Sequence, residues 1–320
     1  MKRALIVFSL FANVFIATQL HAQSPYRYSG GRQVIAPSGV KLRKTAGLKA
    51  EKIGVVPFRA EVEILDSMLS VFDTVDYIDA IIRGQTIHRP LVGGWLKVRY
   101  QSTVGYVFAG LLGHLSERED LPDFMVWDVG FACEDLTFNP RRYHWYGLFP
   151  GEQHTSLRKI NPTIYDFGEA LPSLILTTGE KKPCLTIIAS LKPLPSESLR
   201  RPGGLPVLLK DLEQEAEPVH FSTFSMIWKD VGDTHPALHC RTLGQDFGLR
   251  WAMDAYDQKT LHLGGHPMYN TELIWHGDLN NDGYLDLLIR NEYEYGAIHL
   301  FLGGPKKMHN VATLVHGACC

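Results

Sequence analysis

An acidic loop near the end of the chain has the residue types and spacing of a site for a hard cation. Residues 275–289 read WHGDLNNDGYLDLLI, in which side-chain oxygens recur at alternate positions and one glycine interrupts the series. Calcium takes about six to eight oxygen ligands, and alternate residues of a tight loop can point toward one centre. We therefore predict a calcium site in this loop. The predicted ligands are the side chains of Asp278, Asn280, Asp282 and Asp286 and the carbonyl group of Tyr284.

Two interpretations of this loop are open from the sequence. Carboxylates that share one turn repel each other, and a divalent cation would remove that repulsion. Gly283 would allow the sharp turn by adopting a positive φ. The alternative is an Asx-rich turn that closes a hairpin without metal.

The flanks of the loop are short and apolar, which predicts strands rather than helices. A helix-flanked calcium hand needs a bidentate Glu at the twelfth loop position, where this chain has Ile289. Strand, acidic loop and strand resemble the FG-GAP repeat of integrin α-chain propellers, whose loops bind calcium. The resemblance covers about fifteen residues in one copy. A propeller needs several repeated blades, so the resemblance implies calcium binding without implying a propeller.

The start of the chain has the composition of a secretory signal peptide. Lys2 and Arg3 precede an apolar run at residues 4–17, and Leu20-His21-Ala22 is an acceptable cleavage site. The run is too short to span a bilayer, and no later stretch is long and apolar enough to do so. We expect residues 1–22 to be removed and residues 23–33 to form a flexible lead-in. The mature protein is predicted to be exported to the periplasm or the cell exterior.

All the cysteines lie in the predicted mature protein. Disulfides are the default in an oxidising compartment, and an odd count leaves at least one thiol spare or paired between chains. A thiol nucleophile is the competing interpretation, but no catalytic context accompanies the cysteines. The pairing stays open. The residues are Cys133, Cys184, Cys240, Cys319 and Cys320.

Residues 34–115 contain short segments in which inward and outward residues alternate, punctuated by Gly and Pro. In order they read GVKLR, IGVVPFRAEVEI, GWLKVRY and GYV. The pattern predicts a small antiparallel barrel, and the order of segments resembles the bacterial SH3-like (SH3b) domain. The departure from that family is a longer insertion at residues 66–92, whose apolar residues predict that it is packed. The resemblance implies binding to cell-wall peptides or docking onto a neighbouring domain.

Aromatic residues of the first domain are candidates for a ligand surface. Trp95 and Tyr106 lie in the GWLKVRY and GYV segments. The alternative is core packing, because aromatic residues usually fill small barrels. The same pair of interpretations, sugar stacking or core, applies to Tyr143, Trp145 and Tyr146 in the second domain.

The charged residues 115–121, followed by Pro122, predict a linker, and residues 123–320 predict a β-rich domain that carries the calcium loop. Residues 174–176 and 185–188 suggest a hairpin. Residues 207–215 are the best helix candidate. The fold class expected for the whole chain is mainly β, a small SH3-like barrel followed by a larger β-rich domain with few helices. The further strand-like segments are residues 124–127, 221–228, 249–253, 259–263, 272–275, 285–289 and 297–302.

The charge balance and the absence of known catalytic motifs reduce the number of candidate function classes. Lys and Arg number 32 against 34 Asp and Glu, so no basic excess indicates a nucleic-acid partner. No phosphate loop, nucleophile elbow or zinc-peptidase motif is present in the sequence. We predict an exported, non-enzymatic module that binds peptidoglycan or envelope proteins and contains a structural calcium site. The alternative is a cell-wall hydrolase whose active site the sequence does not reveal.

Overall fold

The computed structural model describes most residues between 31 and 315, and the regular elements among them are almost all β-strands. The mainly β fold class is confirmed. The predicted signal peptide lies outside the described residues, and from residue 201 to residue 271 only the backbone of the strands is described. Not described are residues 1–30, 67–68, 70, 83, 116–119, 133–137, 167–173, 201–206, 209–218, 221–224, 231–235, 243–244, 254–258, 264–265, 269–271, 292–296, 305–308 and 316–320.

The chain divides into two compact units whose segments interleave. Unit 1 takes Met1–Asp73, Val92–His114 and Tyr165–Ser173, and unit 2 takes the rest. The predicted domains, residues 34–115 and 123–320, are consecutive, whereas these units exchange segments along the chain.

The first part of the chain forms one antiparallel sheet. Its strands are β1 (Gly31–Val34), β2 (Val40–Arg43), β3 (Lys52–Val56), β4 (Glu61–Asp66), β5 (Phe72–Ile82), β6 (Gln85–Tyr100), β7 (Thr103–Phe108) and β8 (Leu112–Gly113). The order is β3-β2-β7-β6-β4-β1-β8, and β5 pairs with β6. The strands predicted in this region are present. The predicted lead-in ends earlier than expected, because β1 begins at Gly31.

The predicted small barrel is not closed in the described part of the sheet. Its end strands, β3 and β8, pair with β2 and β1 respectively and not with each other. A barrel closes only when its end strands exchange hydrogen bonds. β8 is two residues long and uses both of them to pair with Gln33 and Val34 of β1. The core is nevertheless that of a packed sheet, with eleven buried apolar residues: Val34, Ala36, Val40, Leu42, Val56, Val62, Leu96, Val98, Val107, Ala109 and Leu112.

The insertion at residues 66–92 is packed only in part, because Ala80 and Leu91 are buried whereas Phe72 and Tyr77 are each 44% exposed. Most of it forms β5 and the beginning of the long strand β6. Ala80 is fully buried and forms a parallel bridge with Cys184. The backbone N–H of Ile81 donates to the carbonyl of Cys184 at 3.0 Å, and the N–H of Cys184 donates to the carbonyl of Asp79 at 3.2 Å.

Unit 2 contains further antiparallel sheets. The strands that follow β8 in the chain are β9 (Phe124–Trp127), β10 (Gly130–Ala132), β11 (His144–Phe149), β12 (Ser156–Lys159), β13 (Thr163–Asp166), β14 (Leu174–Thr177), β15 (Thr186–Ser190), β16 (Val207–Leu208), β17 (Val219–His220), β18 (Ser225–Asp230), β19 (Pro236–Thr242), β20 (Gln245–Met253), β21 (Lys259–Leu263), β22 (His266–Met268), β23 (Glu272–Gly277), β24 (Asp286–Asn291), β25 (Ala297–Leu302) and β26 (His309–Val315). Three sheets have the orders β12-β11-β15-β9, β16-β23-β24-β25-β26 and β17-β18-β19-β20-β21-β22.

In unit 2 one local prediction is wrong and a second is contradicted at its first residues. The predicted hairpin of residues 174–176 with 185–188 does not form, because β14 pairs with β10 while β15 pairs with β11 and β9. The intervening chain carries Cys184 and Leu185, whose backbone groups bond to β5 and to Leu148 instead, so the chain passes into another sheet. The predicted helix at 207–215 begins with β16, and its remaining residues lie outside the described ones. The described residues contain one short α-helix, α1 (Ser196–Arg200).

Candidate functional site

The predicted calcium loop joins β23 to β24, so its flanks are strands as expected. The two strands are antiparallel, with Gly277 opposite Asp286 at the mouth of the loop. The apolar flanking residues are buried, which fixes the strands to the core. Gly277 packs directly against the ring of Trp275, where a Cβ atom would overlap the indole. The loop therefore starts from a rigid base.

Asp278 organises the turn of this loop through both of its carboxylate oxygens. Oδ1 accepts the backbone N–H of Asp282 at 3.0 Å, and Oδ2 accepts the N–H of Gly283 at 3.0 Å. The chain reverses through positive φ angles at Asn281 (58°) and Gly283 (88°). Asn and Gly are the residue types that most readily adopt this conformation.

Asn280 and Asp282 belong to the same hydrogen-bonded turn. The backbone N–H of Asp282 also donates to Oδ1 of Asn280 at 3.2 Å, and the amide of Asn280 donates to Oδ2 of Asp282 at 2.8 Å. Oδ1 of Asp282 accepts the N–H of Tyr284 at 2.8 Å. Three predicted side-chain ligands therefore lie together in one turn, with their oxygens held by backbone donors. This arrangement also matches the Asx-rich turn of the alternative interpretation.

Asp286 differs from these residues in its environment. It is fully buried, and its oxygens accept the backbone N–H groups of Leu279 at 2.6 Å and Gly303 at 2.8 Å. Burial raises the pKa of its carboxyl group to about 7; the two backbone hydrogen bonds oppose this rise, and the charges of Asp282 and Asp278 add to it. The carboxyl group thus joins the loop to the residue that follows β25. The sequence did not indicate the contribution of Gly303, whose Cβ position is blocked by the carbonyl of Leu285.

The donor set of the loop fits a hard cation only in part. Its groups are carboxylate, amide and carbonyl oxygens, the ligand type that calcium prefers. Within the described residues, however, no three or more His, Cys, Asp or Glu side chains converge on a common metal position. The candidate ligands of a calcium ion here would be the side chains of Asp278, Asn280 and Asp282 and the carbonyl of Tyr284. Asp286 would join through lone pairs left free, since an ionised carboxylate has about four acceptor positions.

A buried ion pair lies on the same sheet, and the sequence reasoning missed it. Arg290 of β24 is opposite Glu272 of β23, and its Nη1 donates to Oε2 of Glu272 at 2.7 Å. Its Nη2 lies 3.6 Å from Oδ1 of Asp128. The side chains of Arg290 and Asp128 are 5% and 8% exposed, so these charges are shielded from water. The signal available in the sequence was an arginine at the end of the apolar run LLIR.

The predicted ligand surface of the first domain is not supported at Trp95. This residue is 2% exposed, and its indole N–H donates to Oδ2 of Asp73 at 2.7 Å. Its ring meets Phe108 edge-on, with ring centroids 5.9 Å apart. Trp95 therefore belongs to the core, which is the alternative left open by the sequence. Tyr106 is half-buried in β7.

The aromatic residues of the second domain are also core residues. Tyr143, Trp145 and Tyr146 are buried, and burial raises the pKa of the Tyr143 hydroxyl. Phe138 lies 5.6 Å from Tyr143 and 5.7 Å from Trp127 between ring centroids. Sugar stacking on these rings is excluded by their burial.

Cys184 is a free thiol inside unit 2. It is fully buried, its thiol donates to the carbonyls of Thr186 at 3.0 Å and Leu148 at 3.2 Å, and burial raises its pKa to about 12. Such a thiol is protonated and inaccessible, so it has neither the charge state nor the access of a nucleophile. Cys184 is a spare thiol of the kind that the odd count predicts. The side chains of the other four cysteines lie outside the described residues, and their disulfides stay a prediction.

Comparisons of the chain with protein-family models, with curated proteins and with solved structures found no match. Across the part of the chain that is described, no helix has the length and apolar character needed to cross a membrane.

Proposed function

We propose that this protein is an exported, non-enzymatic module that binds cell-envelope material and is stabilised by one calcium ion in the β23–β24 loop. The observation that carries the calcium part is the shared turn of Asp278, Asn280 and Asp282. Their oxygens are already ordered by backbone donors at 2.8–3.2 Å. An ordered set of oxygens loses little conformational entropy when an ion binds.

The ion would act on stability. It would neutralise the neighbouring carboxylates of the loop and would hold the ends of β23 and β24 at their register. Because it would bind the folded protein and not the unfolded chain, it would add about 2.7 kcal/mol to the free energy of unfolding at about 100 times its Kd.

Thermal unfolding in millimolar calcium and in excess chelator tests this part. We expect calcium to raise the Tm by about 5–10 °C, and magnesium to have a smaller effect because it needs a stricter octahedral geometry. Asp282→Asn keeps an oxygen for the N–H of Tyr284 but removes the charge, so it should abolish most of the shift.

The matched control for the calcium test is Glu51→Gln, which removes an exposed carboxylate on unit 1 that pairs with Lys44. It should retain the full calcium shift. Absence of any shift in the wild type, or an equal shift in Asp282→Asn, would overturn the calcium assignment.

The envelope part is supported by the resemblance of residues 34–115 to SH3b domains. In support, each of the four quoted segments contains part or all of at least one strand, namely β2, β3 and β4, β6, and β7 in that order. The burial of Cys184 removes one candidate nucleophile from the hydrolase alternative.

Sedimentation with purified cell-wall sacculi tests the envelope part. We expect the protein to pellet with sacculi and to stay in solution with cellulose, and we expect no soluble wall fragments. Release of such fragments would favour the hydrolase alternative. Protein that stays in the supernatant with sacculi would contradict wall binding, while leaving the calcium test unaffected.

A further inference from the structure

We draw no further inference here: the strongest candidate, the apolar groove between β9 and β26, each the last strand of its sheet among the described residues, carries nothing because nothing in the structure shows what covers it.

Discussion

Asp286 has a structural role in addition to its predicted role as a calcium ligand. The spacing of the loop assigned it as a calcium ligand, equivalent to Asp278 and Asp282. In the structure its carboxyl group is buried and its oxygens accept two backbone N–H groups, one from the loop and one from beyond β25. Local spacing identified the oxygen atoms of the loop, but it carries no information on Gly303, which is distant in the chain.

Removal of the Asp286 side chain should destabilise the protein even without metal. Asp286→Ala leaves the buried N–H groups of Leu279 and Gly303 without their acceptor, and each unsatisfied group costs about 1–3 kcal/mol. We expect the free energy of unfolding, measured by urea denaturation in chelator, to fall by about 2–4 kcal/mol. Asp286→Asn keeps one acceptor oxygen and should lose less.

The control for this comparison is Asp282→Ala in the same buffer. Asp282 is exposed, so water can replace the hydrogen bond to Tyr284, and the expected loss is about 1 kcal/mol or less. Equal losses for Asp286→Ala and Asp282→Ala would show that the two buried backbone contacts of Asp286 stabilise the fold no more than the exposed contact of Asp282.

At the scale of elements, β23 and β24 are connected by an ion pair between Arg290 and Glu272 as well as by their backbone hydrogen bonds. Arg290 lies between Glu272 and Asp128 in a nearly water-free position. Breaking a buried ion pair by removing one partner usually costs more than the pair contributes, because uncompensated charges remain buried. We therefore expect the pairing of these strands to depend on Arg290, although arginine is a residue type found mostly on protein surfaces.

Arg290→Met should lower the free energy of unfolding by about 3–5 kcal/mol, because two carboxylates lose their counter-charge. The matched control is Arg99→Met, which breaks an exposed pair with Glu63 and should cost about 1 kcal/mol or less. Urea denaturation of both variants measures the difference. Recovery of stability in the double variant Arg290→Met, Glu272→Gln would support the electrostatic cause, whereas similar losses for Arg290→Met and Arg99→Met would contradict it.

At the scale of the whole molecule, many strand positions followed from the sequence, whereas others, such as β5, β19 and β26, and the strand partners did not. Alternation in the segment GWLKVRY placed a strand that the structure contains within β6, and the apolar run LLI placed β24. Periodicity reports which face of a strand is buried, but it does not report the neighbouring strand. The hairpin predicted from residues 174–188 failed for this reason, since the strands β14 and β15 joined different sheets.

Because the segments of the two units interleave, we expect a fragment cut at the predicted domain boundary to be less stable than the full chain. Phe108 packs edge-on against Tyr165, with ring centroids 6.1 Å apart, and both belong to unit 1. A fragment of residues 31–115 lacks Tyr165 and should lose about 1 kcal/mol from this aromatic contact alone. Hydrogen exchange of peptides from β6 and β7 should be faster in the fragment than in the full chain. Equal protection in both would show that residues 34–115 fold independently.

The order of strands in the sheets has a consequence for the speed of folding. In β17–β22 and β23–β26, each strand pairs with the next one along the chain. Such sheets grow by closing short loops, and contacts between near neighbours form fastest. In the first sheet, β1 must wait for β4 and β8 to arrive from further along the chain. We therefore expect β17–β22 and β23–β26 to form their ladders early in folding, and β1 to pair late.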